Sequence, residues 1–194
     1  MNLITDLARQ FGNEPDTNVP PAPDALALIH SDHEEVAALF KIALSESATS
    51  AAKRAAIEKV CFSLTVHAKM EEKIFYPALR KAGKKDEKDS VLEAAEEHGV
   101  VKDLIGKIKR VRGRDETLEA KVKVLKELVE HHVREEESTM FSEARKVLGN
   151  KLEALGEEME RFKERAGAAK PAAKPKRSPT SRSSGRKTGS NTKK

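Results

Sequence analysis

His67-Ala68-Lys69-Met70-Glu71-Glu72 and His132-Val133-Arg134-Glu135-Glu136-Glu137 are two readings of one motif, 65 residues apart. In each, a His and a Glu stand four apart, so on an α-helix they project about 40° from one another around the axis. Both pairs fall where an apolar residue is expected. The first stripe runs Ile57, Val60, Cys61, Leu64, His67, Glu71, Ile74, Phe75, Ala78, and the second Val122, Leu125, Val129, His132, Glu136, Met140. A carboxylate in the middle of a core-facing stripe is costly unless it is paired or ligates a metal. Two such insertions with the same spacing point to a metal site.

The 65-residue offset extends beyond the motif. It carries Asp32-His33 to Glu97-His98 and Arg80-Lys81 to Arg145-Lys146. The chain therefore reads as two copies of a helical hairpin, each supplying two His and one Glu. Two copies make a pseudo-symmetric bundle, not a solenoid. Duplication for packing alone, with the polar residues solvated, is the plainer alternative. Against it, His33 and His98 also lie within apolar stripes.

Composition sets the class. Charged residues make up 36% of the 194 and aromatics 4%, with no alternating β pattern, so the expectation is all-α, one domain plus appendages. The lone cysteine, Cys61, excludes an intrachain disulfide and fits a reducing compartment. No apolar run approaches the ~20 residues of a membrane span. The opening Met1-Asn2-Leu3-Ile4-Thr5-Asp6 lacks the basic region and long apolar run of a signal peptide. A cytoplasmic protein with no membrane partner is expected. The net charge of +5 is a composite: residues 168–194 hold nine Lys or Arg and no acid, leaving 28 of the 37 basic residues against 32 acidic ones.

Four units follow along the chain. An arm, 1–22, has a short amphipathic run (Leu3, Ile4, Leu7, Phe11) before Pro- and Gly-rich sequence. The bundle is expected over 23–149. Its first helix starts near the N-cap Asp24 and runs to about Leu44 on the stripe Leu26, Ile29, His33, Val36, Phe40. His30 lies at the edge of that stripe and reads as a packed or partly exposed side chain. The second helix is expected from about Ala51 to Leu79, with Pro77 kinking or ending it. The third opens on the capping box Ser90-Val91-Leu92-Glu93 and continues to about Val111 on Val91, Ala94, His98, Val101, Ile105, Ile108. Arg112-Gly113-Arg114-Asp115 breaks it. The fourth runs from about Glu116 to Leu148 and stops at Gly149-Asn150. His131 is rotated about 100° from His132 and falls outside the donor set. Residues 150–167 read as a fifth, docking helix with Leu152, Leu155, Met159 and Phe162 in phase, and 168–194 as a disordered basic tail.

Imidazole and carboxylate without thiolate favour iron, zinc or manganese over soft metals. Six protein donors (His33, His67, Glu71, His98, His132, Glu136) exceed what one tetrahedral zinc takes. They suit two octahedral ions sharing both carboxylates. The ferritin-like Glu-x-x-His pair is absent, as is His-Glu-x-x-His.

The order His33, His67-x-x-x-Glu71, His98, His132-x-x-x-Glu136 resembles the hemerythrin-like family, the HHE cation-binding domain. The neighbouring words agree: Ser31-Asp32-His33, Glu71-Glu72-Lys73-Ile74-Phe75-Tyr76-Pro77, Glu97-His98, and Glu135-Glu136-Glu137 before Met140-Phe141. The resemblance spans about Asp24 to Leu148. It implies an up-down antiparallel four-helix bundle around a non-haem centre of two iron ions. In it Glu71 and Glu136 would be bridging carboxylates and the four His terminal ligands. Oxygen-carrying hemerythrins have a fifth His, four residues after another; that place is Lys102 here, which argues against classical oxygen carriage. His30 and Tyr76 are the candidates to fill an open position. Ser142 stands where the first copy has Pro77.

An open position on a ferrous pair leads to a protein that binds or senses O2, peroxide or nitric oxide, or handles iron under stress. A peroxide- or nitric-oxide-reducing enzyme is the alternative, but no separate acid–base pair or substrate pocket is visible, so ligand binding is preferred to turnover. A third reading makes the 168–194 tail an effector that binds nucleic acid without sequence preference, through charge alone.

Overall fold

The computed structural model describes residues 23–111 and 116–168. The expected arm, the 112–115 break and the basic tail lie outside the described residues. All described elements are helical: α1 (Ala25–Ala43), α2 (Ser50–Met70), a π-helical turn (Glu71–Phe75), α3 (Tyr76–Ala82), α4 (Lys85–Arg110), α5 (Thr117–Glu135), a second π-helical turn (Glu136–Met140), α6 (Phe141–Leu148) and α7 (Lys151–Ala168). Each π turn is continuous with its flanking helices, so α2–α3 and α5–α6 act as two long rods. With α1 and α4 they make the four-helix bundle, and α7 is the additional helix. Short connections at residues 44–49 and 83–84 fold successive rods back on one another. None of the described helices is long and apolar enough to cross a membrane.

The helix ends follow local chemistry. Asp24 caps α1 by accepting the Ala27 N–H at 2.8 Å. Thr49 caps α2 through the Ala52 N–H. α4 starts five residues ahead of the expected capping box: Glu87 reaches back to the Lys84 N–H at 2.7 Å, while the Ser90 hydroxyl donates to the Asp86 carbonyl inside the helix. Lys84 is thus the N-cap and Lys85–Lys88 the first turn of the helix. α6 ends at Gly149, whose φ of +52° suits a residue without a Cβ.

The two π turns were not expected from the sequence. They lie 65 residues apart and each begins at the motif Glu, with Tyr76 N–H bonding to the Glu71 carbonyl and Phe141 N–H to that of Glu136. Pro77 follows the first, where a widened turn relieves the clash that a proline ring makes with the preceding turn. Proline is not its cause, because the second π turn forms ahead of Ser142. A π turn holds one extra residue, and the buried face slips by one after it. Leu79, not Ala78, is the fully buried residue of α3, and Tyr76 is drawn inward beside Phe75.

The core has two parts. Leu26, Ile29, Met70, Phe75, Leu79, Met140, Phe141 and Leu148 fill one, joined by Leu152 and Met159 of α7. Val36, Phe40, Val60, Leu64, Val101, Ile105, Leu125 and Val129 fill the other. Between them lies a layer of His33, His67, Glu71, His98, His132 and Glu136, all buried.

Candidate metal centre

The six donors expected from the sequence converge. His33, His67, Glu71 and Glu136 offer ligand atoms within 4.8 Å of one another, and so do His67, Glu71, His98 and His132. Helical spacing explains this. Each rod contributes a His and, one turn on, a Glu; α1 and α4 contribute one His each at the same height.

Every imidazole is aimed by a carboxylate on its outer nitrogen. Nδ1 of His33 meets Glu137 at 2.7 Å, that of His67 meets Asp32 at 3.5 Å, that of His98 meets Glu72 at 3.1 Å and that of His132 meets Glu97 at 2.7 Å. An ionised carboxylate only accepts, so each Nδ1–H donates and each Nε2 presents its lone pair to the interior. These partners obey the same repeat: Asp32 and Glu97, Glu72 and Glu137 are 65 apart. They too have basic neighbours. Lys163 pairs with Asp32, Lys102 with Glu72, His30 with Glu137 and His131 with Glu97.

The inner faces are crowded with acceptors. His67 Nε2 stands 3.2 Å from Glu71 Oε1 and His98 Nε2 3.3 Å from Glu71 Oε2, so one carboxylate spans two imidazoles. His33 Nε2 stands 3.3 Å, and His132 Nε2 3.8 Å, from Glu136 Oε2. The Nε2 atoms of His98 and His132 are 3.2 Å apart, though both imidazoles already donate through Nδ1. His33 Nε2, Glu71 Oε1 and Glu136 Oε2 are buried without a hydrogen-bond partner. Lone pairs converging on lone pairs are unfavourable unless a cation stands among them. Donors that share an ion at ~2.1 Å lie about 3.0 Å apart at right angles, close to the spacings found. The residues fit metal ions.

The protonation states agree with a donor set. Burial, reinforced by the charges of His132 and His67, pushes His98 down to about 2. Burial likewise holds His67 below the ordinary imidazole range, outweighing its bond to Asp32. Both are neutral, as ligation requires. His33 goes the other way: burial opposes its charge, but the adjacent carboxylate of Glu136 and the hydrogen bond to Glu137 raise it. Burial and the facing Glu136 push Glu71 well above the carboxylate range, whereas the close approach of the His33 imidazole, helped by the charge of His132, overcomes burial and lowers Glu136. Without a cation, the two facing carboxyls hold one proton between them.

Two spaces adjoin the layer. A void of about 20 Å³ lies against His33, His67, His98 and His132 and is otherwise lined largely by Val36, Leu64, Val101 and Val129. A cavity of about 200 Å³ runs from the exposed Glu135 to the buried His132 and Glu136.

The further candidates divide. His30 is more than half exposed and turns to Glu137, so it does not reach the centre. His131 is equally exposed, beside Glu97 and Glu135. Lys102 leaves the interior to pair with Glu72. Tyr76 does reach in: its hydroxyl lies 3.4 Å from both Glu71 and Glu136, and its ring stacks on His98 at 5.6 Å. Its pseudo-symmetric mate, Phe141, stacks on His33 at 6.5 Å and has no hydroxyl. The aiming carboxylates were not singled out in advance, although the repeat marks all four.

The family model for the hemerythrin HHE cation-binding domain matches residues 24–144. Among solved structures, a hemerythrin HHE cation-binding domain-containing protein from Mycobacterium kansasii superposes with a TM-score of 0.64 at 24% identity, over 75% of this chain and 89% of that one. At that identity the likeness speaks to the fold alone. No protein of curated function matches the chain.

Proposed function

Since the chain belongs to the hemerythrin HHE cation-binding domain family, we propose that it is a non-haem di-iron protein that binds or senses a small ligand: O2, peroxide or nitric oxide. His33 and His67 would serve one ion and His98 and His132 the other, with Glu71 and Glu136 shared. The observation that carries this reading is the set of buried, unpartnered acceptors that face one another across the bundle. When bound, a ferrous pair would supply the electrons that reduction of O2, peroxide or nitric oxide consumes.

The chain's own residues set the conditions for that ligand. The four outer carboxylates hold the imidazoles in one tautomer, so no reorganisation is needed when metal binds. The small void against the four His has the size of one water or one diatomic guest, and its aliphatic lining favours the latter. The Tyr76 hydroxyl keeps its proton, since burial and the two carboxylates raise its pKa well above the ordinary range. It is the hydrogen-bond donor nearest the shared carboxylates. Valine and leucine on one side of the layer and Phe75 and Met140 on the other close it above and below, and the cavity beside Glu135 leads from solvent to its edge at His132 and Glu136. A cytoplasmic setting belongs to this proposal, in keeping with the single buried thiol of Cys61.

Anaerobic reconstitution with ferrous iron, followed by elemental analysis and by absorption and Mössbauer spectra before and after oxygen, tests the reading. Two irons per chain and an antiferromagnetically coupled ferric pair are expected. Protein that retains no iron removes it. Multiple turnovers with a reductant, in place of one stoichiometric oxidation, would move the reading to a redox enzyme.

A further inference from the structure

The last helix lies beyond residues 24–144, yet it reaches the centre. Lys163 of α7 pairs with one oxygen of Asp32, and the other oxygen of Asp32 is the one that meets His67 Nδ1. α7 is closely seated. A Cβ on Gly156 would come 2.3 Å from the Pro23 carbonyl oxygen and 2.8 Å from the Asp24 backbone, so the helix lies directly on the start of α1. Met159 is fully buried, and Phe162 lies under the Lys73 ammonium at 5.6 Å, within the first π turn. The helix thus touches both the carboxylate that aims His67 and the turn that carries Glu71.

The pseudo-symmetry shows why a helix from outside the repeat is needed. Asp32 corresponds to Glu97, and Glu97 takes its basic neighbour, His131, from α5. The position corresponding to His131 in the first copy is Val66, which offers no charge. Asp32 is also the most buried of the four aiming carboxylates, its side chain 8% exposed against 24–30% for Glu72, Glu97 and Glu137. A buried carboxylate with one oxygen unmatched is costly and would turn outward toward water, and His67 would lose the acceptor that fixes its tautomer. We infer that Lys163 is a positioning residue of the metal centre, and that α7 completes the first half-site by supplying the cation its repeat lacks. This rests on the proposed role of His67 as a metal ligand.

The experiment compares full-length wild type, Lys163→Met, Lys163→Arg, Asp32→Asn and the Asp32→Asn/Lys163→Met double variant, each loaded anaerobically with ferrous iron. Iron release to a ferrous chelator at neutral pH is the readout, with the absorption spectrum of the oxidised centre beside it. Lys163→Met should release iron about tenfold faster, as loss of an outer partner does elsewhere, with a shifted spectrum. Lys163→Arg should restore both. Asp32→Asn should match Lys163→Met, and the double variant should be no faster than either, because the two residues act through one contact. Wild-type release and spectrum in Lys163→Met, or additive effects in the double variant, overturn the inference while leaving the metal reading intact. A wild-type chain that holds no iron overturns that reading and the inference with it. Melting curves of the metal-free variants separate a change of aim from a loss of fold.

Discussion

Glu71 and His98 illustrate how strongly single side chains in this layer depend on what fills it. With no cation present, Glu71 is held protonated while His98 and His67 are held neutral. Between about pH 4.5 and 6.5 the unfolded chain protonates its imidazoles and ionises its carboxyls, as free groups do. In that window the two buried His make the unfolded state the better proton binder, so their contribution is lost as pH falls. Glu71, with its pKa raised, acts with the opposite sign and cancels about one of the two. With two groups against one, the net effect is a loss of stability on acidification. Above about pH 6.5 the two His are neutral in both states, and the raised Glu71 and His33 make stability decline as pH rises. We predict that chelator-treated protein is most stable near pH 6.5, with lower urea midpoints at about pH 5 and about pH 8. A midpoint that climbs steadily across that range would contradict the arrangement. Which donors meet was legible, because a charged residue at an apolar position of a stripe is an anomaly that repeats. Which carboxylate serves which imidazole was not. Asp32 is adjacent to His33 in sequence but serves His67, since neighbours on a helix diverge by about 100°.

Helices carry these side chains, and their ends test how far local chemistry alone decides. Asp24 and Gly149 were readable as cap and stop because each satisfies a local need, an unpaired N–H in one case and a left-handed φ in the other. The start of α4 was misplaced for the same reason. Ser90 to Glu93 has the pattern of a capping box, but the helix already starts at Lys85, where the Glu87 carboxylate accepts the Lys84 N–H. The π turns escaped because one added residue leaves the composition of a helix unchanged. Their only trace is a slip in the stripe. After Glu71 the buried residues are Ile74, Phe75, Tyr76 and Leu79, and after Glu136 they are Met140, Phe141 and Ala144; Tyr76 and Phe141, five residues on, are the ones a regular helix would turn away from the core. At Gly149 nothing lies within 4 Å of an added Cβ, so a substitution there meets only backbone strain. Gly149→Ala is expected to lower stability by about 1–3 kcal/mol while leaving iron stoichiometry at the wild-type value. Thermal melts and elemental analysis check it. A variant that keeps its melting point would mean that the turn between α6 and α7 relaxes to another geometry.

At the scale of the whole molecule the charge is divided. The 168–194 segment is purely basic, and the remainder carries more acid than base. α7, whose Lys163 reaches Asp32, ends at Ala168, so that segment begins where the described structure stops. Nine cations without an acid or an aromatic ring favour polyanions through release of condensed counterions, and offer nothing for stacking on bases. We predict that the full chain binds duplexes of unrelated sequence equally. The logarithm of its affinity should fall with the logarithm of salt at a slope no steeper than about −8, the limit for nine phosphate contacts. Removing residues 169–194 spares α7 and should abolish this binding, because the bundle that remains is acidic. Fluorescence anisotropy across a salt series, with both chains loaded with iron, measures it. Equal affinities for the two chains would locate any nucleic-acid contact on the bundle and deny the basic segment that role. A salt slope near zero would exclude a charge-driven contact altogether.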